Sequence, residues 1–187
     1  GMDGHLTLTF INIAPYAPLL RALRDFRNTH PAVAFTLQKA TTHEQVQALE
    51  AGRADIGFLR TPGSTTPTLR FETLLREPIH VALPAEHPLA DDPVVALAAL
   101  KDEPFVASPR RLGQGFHDQL IQLCQTAGFV PRVAQEARQL QTVVALVAAG
   151  FGVALLPASL AQTAGGDVVF RPCLLYTSDA ADERSSV

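Results

Sequence analysis

The chain has 187 residues, 47% of them apolar, enough for one large domain or two small lobes with real cores. A net charge of −3, with no basic cluster beyond Arg110-Arg111, excludes a domain that grips nucleic acid by itself, which would carry a basic stripe. No apolar run reaches the roughly 18 residues of a membrane helix, and no signal peptide opens the chain, so a cytoplasmic protein with no membrane partner is expected.

Residues 5–12 (HLTLTFIN) alternate Leu6, Leu8 and Phe10 with polar neighbours and predict a strand. Pro15 and Pro18 precede Leu19, Leu20, Leu23 and Phe26 at helical spacing, and His30-Pro31 stops that helix. Residues 33–39 alternate again. Thr42-His43-Glu44-Gln45 fits a capping box in which Thr42 caps and Gln45 reaches back. The helix it opens turns Val46 and Leu49 inward and ends at Gly52. Residues 55–59 (DIGFL) predict a buried parallel strand. The first 60 residues therefore spell strand, helix, strand, helix, strand, an α/β unit with a parallel sheet.

Residues 61–68 form a loop, and residues 69–75 and 79–83 predict two more strands. The Pro-rich stretch 84–88 marks the crossing to a second lobe. That lobe repeats the logic, with a short helix at 94–100, a strand at 104–107, a loop at 108–115 and a helix at 116–127 ended by Gly128. A strand at 132–136, a buried helix at 140–149, a strand at 152–156, a short helix from Pro157 and a strand at 168–171 follow. The expected boundaries are 5–84 for the first lobe and 85–168 for the second. Residues 169–172 begin a return crossover, and 173–187 form a tail.

Nothing in the sequence spells catalysis. There is no GxSxG, no HExxH and no GxGxxG between strand and helix. The 6 histidines are dispersed, and the 2 cysteines, Cys124 and Cys173, have no metal-ligand spacing. No catalytic residue, metal or cofactor is expected.

Binding is better supported, because open α/β sheets hold ligands beyond the carboxyl ends of their strands. Those ends carry Asn12, Ile13, Thr41, Thr42 and Arg60. Two hydroxyls, a helix N-terminus and a planar guanidinium are chemistry for a small anion. Thr42 serving only as a cap, and Arg60 only as a surface ion-pair partner, are the plainer alternatives. In the second lobe Ser108, Phe116 and Gln141 lie where strands give way to loops and helices.

The residues also resemble a known family. LTLTFINIAPYAPLLRALRDFRNTHPAVAFTL, TTHEQVQALEAGRADIGFLR, VALPAEHPLA, LCQTAGFVPRV and above all TVVALVAAGFGVALLPASL are similar to the effector-binding domain of LysR-type transcriptional regulators. The likeness runs from about His5 to Pro172 and leans toward the branch that senses aromatic-degradation intermediates such as muconate. It implies α/β architecture with two Rossmann-like lobes and a hinge, similar to type 2 periplasmic binding proteins. It further implies a small-molecule effector between the lobes, self-association as a dimer or tetramer, and DNA contact only through a separate winged helix-turn-helix.

The resemblance assigns the effector to Asn12, Ile13, Thr41, Thr42, Arg60, Ser108, Phe116 and Gln141. Family members often carry Ser or Thr where Asn12 and Ile13 stand, so the effector chemistry can depart from a simple carboxylate. The stretch 173–183 (CLLYTSDAADE) resembles a translated sequencing adapter, so native sequence is expected to end near Pro172, short of the family's closing strand and helix. Gly1-Met2 reads as a cloning remnant. Two other functions fit the same pattern: a periplasmic solute-binding protein of similar fold, and a small α/β enzyme.

Overall fold

The structure, a computed structural model, describes residues 4–13, 15–64 and 66–175. Gly1-Met2 and most of the expected tail lie outside the described residues. The chain divides into two compact units. One is Gly1–Phe71 with Arg111–Phe116, the other Glu72–Arg110 with His117–Val187.

The first unit is built on β1 (Gly4–Phe10), α1 (Ala17–Thr29), β2 (Val33–Lys39), α2 (Thr42–Glu50) and β3 (Ile56–Phe58). The three strands form a parallel sheet in the order β2-β1-β3. β1 is central, and it buries the neighbours Leu8 and Thr9, which point to opposite faces.

Asp55 fixes the register of β3: its N–H donates to the Thr7 carbonyl at 2.9 Å and its carboxylate accepts from Thr7 N at 2.8 Å. β3 is an edge strand with Ile56 exposed, so the expected buried strand is corrected. It lies against α2. Phe26 of α1 packs on Phe35 of β2 edge-on, with ring centroids 5.5 Å apart.

The second unit begins with β4 (Ile79–Pro84) and continues through β5 (Val95–Ala96), β6 (Pro104–Ala107) and α3 (Gln114–Thr126), whose first turn is counted with the first unit. β7 (Arg132–Glu136), α4 (Leu140–Ala148), β8 (Ala154–Pro157) and β9 (Val168–Leu174) complete it. Four strands run in the order β5-β9-β4-β8, with β4 antiparallel to both β8 and β9. This sheet is mixed, so the second unit does not repeat the parallel logic of the first. β6 and β7 pair in parallel, and Phe105 of β6 bridges Val153. The core gathers Val81, Leu83, Val95, Leu97, Leu100, Phe105, Cys124, Val153 and Leu155.

Three expectations change. No strand forms over residues 69–75, where Leu74 and Leu75 are exposed at 72% and 59%; apolar residues there lack a sheet partner. β4 pairs with β8 and β9, within the unit that takes in Glu72–Arg110. Residues 95–100 split into β5 and a 3-10 turn, since Val95 and Ala96 pair with β9. β9 continues to Leu174, past the expected strand end at residue 171, and Cys173 and Leu174 pair with β5.

Candidate functional site

In the first unit the sheet's carboxyl ends bring several of the candidate residues together. Asn12 and Ile13 leave β1 in a half-buried turn closed by Tyr16 N–H on the Ile13 carbonyl at 2.9 Å. Thr41 follows β2, and Arg60 stands two residues beyond β3.

The capping box lies one residue earlier than expected. Thr41 is the N-cap of α2: its hydroxyl accepts from Glu44 N at 3.3 Å, and the Glu44 carboxylate accepts from Thr41 N at 2.9 Å. Thr42 is therefore the first helical residue, buried and relieved of the capping role. Gln45 takes no part in the box either. It is fully buried, and its carboxamide bonds to Thr9, Ala40 and Phe58.

Residues 111–116 complete the set within this unit. The Arg60 guanidinium lies over the Phe116 ring, its Cζ 5.3 Å from the centroid, inside the range of a cation–π contact. A Cβ on Gly113 would lie 3.9 Å from the Thr42 side chain. Gly115 is needed for close backbone approach, since a Cβ there would sit 2.5 Å from the Thr61 carbonyl oxygen. The result is a planar cation held by an aromatic face, in the same unit as a threonine with no capping duty. That combination suits a small anion with an apolar body.

Ser108 and Gln141 belong to the second unit. Ala137 N–H donates to the Ala107 carbonyl at 3.0 Å, and the Ser108 hydroxyl reaches the Arg138 carbonyl at 3.5 Å. These bonds bring Ser108 beside the entry to α4, whose second residue is Gln141. The candidate residues thus fall into two sets, one in each unit. Arg110, next to this loop, forms a bidentate pair with Asp118 at 2.8 and 2.9 Å. That pairing holds the Asp118 carboxyl down at about 2.

Sequence reasoning missed Gln45, Gly113 and Gly115. The spacing Gly113-Gln114-Gly115 after a strand was a usable signal of close approach, whereas a buried glutamine has no sequence signature. Among the described residues no His, Cys, Asp and Glu group is arranged to hold a metal, and no helix is long and apolar enough to cross a membrane.

A family model described as the LysR substrate binding domain matches residues 1–179. The HTH-type transcriptional regulator AlsR of Bacillus subtilis (strain 168) is 33% identical over 171 residues, 91% of this chain and 56% of that protein. The HTH-type transcriptional regulator IlvR of Caulobacter vibrioides is 38% identical over 166 residues, 88% of this chain and 55% of that protein. The chain thus spans little more than half the length of these relatives. Among solved structures, the BenM effector binding domain with its effector benzoate superimposes with a TM-score of 0.75 at 27% identity, covering 99% of this chain and 87% of that one.

Proposed function

The chain belongs to the LysR substrate-binding-domain family, and from that membership we propose that it is a non-catalytic sensor of a small carboxylate with an aromatic or other apolar body. The observation that carries this reading is the Arg60 guanidinium stacked on Phe116 in the unit that also buries Thr42 at the start of α2. A carboxylate meets the guanidinium fork and the threonine hydroxyl, and its apolar body meets the ring. Benzoate, the effector of the structurally similar BenM domain, is the natural first probe.

Asn12, Ile13 and Thr41 are proposed contacts beside Thr42 and Arg60, and Ser108 and Gln141 are proposed contacts from the second unit. The parent protein is proposed to work in the cytoplasm as a dimer or tetramer and to meet DNA through a separate helix-turn-helix domain. Effector binding alters DNA contact only to the extent that it favours one of two arrangements over the other. The relatives matched are transcriptional regulators, which sets this reading above a solute-binding protein or an enzyme.

Calorimetric titration with benzoate and related small carboxylates tests the proposal. Binding lost in both Thr42→Ala and Arg60→Ala supports it. A confirmed ligand that binds both variants unchanged overturns the site.

A further inference from the structure

Gln45 lies on the second turn of α2 with no solvent exposure, and it is one of three buried polar side chains among the described residues, with Thr9 and Thr42. A buried carboxamide is costly unless its donors and acceptor are matched. Here Nε2 donates to the Ala40 carbonyl and to the Phe58 carbonyl, both at 3.1 Å, and Oε1 accepts from the Thr9 hydroxyl at 3.1 Å. One side chain thus ties together β1, the residue that follows β2, and the last residue of β3. Gly57 makes room for it, since a Cβ there would lie 2.9 Å from Gln45 Oε1 and 3.3 Å from Thr9 Oγ1.

These three attachment points stand next to the proposed ligand contacts. Ala40 precedes Thr41 and Thr42, and Phe58 is two residues before Arg60. The Phe58 carbonyl also accepts from Ile11 N at 3.3 Å, one residue before Asn12, and Ala40 N donates to the Phe10 carbonyl at 2.9 Å. We infer that Gln45 is the positioning residue of the site, a single clamp that sets the spacing of Asn12, Thr42 and Arg60 without touching the ligand. This inference rests on the proposed sensor reading for the identity of those contacts, while the clamp itself is readable without any ligand.

The spacing matters because hydrogen bonds weaken steeply with misalignment, and a guanidinium and a hydroxyl meet one carboxylate only at a fixed separation. Backbone bonds between neighbouring strands hold β1 to β2 and β1 to β3, but β2 and β3 do not pair with each other. Gln45 supplies the cross-link that spans from the end of β2 to β3.

The test uses the whole chain with Gln45→Met, which keeps the side chain's length and removes its donors and acceptor. Val81→Ala in the second unit serves as a destabilised control. Amide hydrogen exchange is expected to rise about tenfold or more at residues 40–42 and 58–60 and to stay unchanged at Leu83 and Leu155. Benzoate binding, where the unaltered protein shows it, is expected to weaken about tenfold or more beyond any loss in Val81→Ala. Unchanged exchange at residues 40–42 and 58–60, or an equal rise in both units, would overturn the inference, as would affinity no weaker than in the control. Should Gln45→Met fail to fold, Thr9→Val removes the hydroxyl that bonds Gln45 at 3.1 Å and also reaches the Ile56 carbonyl at 3.4 Å, leaving the two Gln45 Nε2 bonds in place. Exchange must then rise at the same residues, and its absence there overturns the clamp. A protein that binds no benzoate counts against the sensor reading alone, because the exchange result still decides the clamp.

Discussion

The Arg60 guanidinium carbon stands 5.3 Å from the centre of the Phe116 ring, so residues far apart in sequence form one cationic, flat-walled feature. The ring limits where the guanidinium can turn and lowers the cost of ordering it when an anion arrives. Phe116→Leu keeps an apolar side chain and loses the π-face. A cation–π contact of about 0.5–2 kcal/mol corresponds to a loss of about 2- to 30-fold in carboxylate affinity. Titration calorimetry on the variant reads this directly. Unchanged affinity would mean that the ring does not orient the cation.

Thr41 caps α2 through a reciprocal pair with Glu44. Thr41→Ala is expected to cost about 0.5–2 kcal/mol in urea denaturation. Glu44→Ala should cost less, and the double variant less than the two losses added, because both remove the same box. Thr42→Ala should lower stability by its own lost packing and show no such coupling to Glu44. Coupling found at Thr42 and not at Thr41 would return the cap to the later residue.

Much of the fold was legible because α/β units advertise themselves through periodicity. β1, β2, α2 and β6 lie within a residue or two of expectation, and Gly52 and Gly128 end their helices with φ of 68° and 93°. The capping box shifted by one because Thr41 and Thr42 are adjacent, and only backbone geometry shows which leaves the helix. Leu69, Leu74 and Leu75 looked like a strand because apolar character implies cover, yet a strand also needs a partner, which local sequence does not display. Thr41, Thr42, Arg60 and Phe116 could be proposed as candidate contacts from their places at strand and helix ends. Gln45 was not, because burial of a polar side chain depends on carbonyls brought together by three separate segments.

The Asp118 carboxyl is held at about 2, first by its hydrogen bonds from Arg110. Arg110→Ala should return it toward its ordinary value of 3.8, which carboxyl-carbon NMR titration can follow. The sign follows from the lowered value: the pair favours the folded loop above pH 3.8 and releases it as pH falls toward 2. Both side chains are about half exposed, so the effect on overall stability is small and weakens with salt. A midpoint near 3.8 in the unaltered protein would show that the pair does not persist in solution.

Cys124 is fully buried in the core of the second unit, and burial, followed by the nearby Cys173 thiol, pushes its pKa up to about 12. Burial also raises the Cys173 thiol. A thiol is reactive only as its thiolate, so Cys124 should resist iodoacetamide in the native protein and react at the rate of unfolding. The raised value also sets a pH dependence. The folded state keeps its proton when the unfolded thiol, at 9.0, has begun to lose it, so stability is fully present below pH 9 and falls as pH rises toward 12. One such group contributes a slope of at most about 1.4 kcal/mol per pH unit. Urea midpoints measured between pH 8 and pH 10.5 should therefore fall more steeply in the unaltered chain than in Cys124→Ala, whose own cost is a small pH-independent cavity. Parallel curves, or rapid native alkylation at Cys124, would show that the thiol is reachable from solvent and is not held protonated by burial.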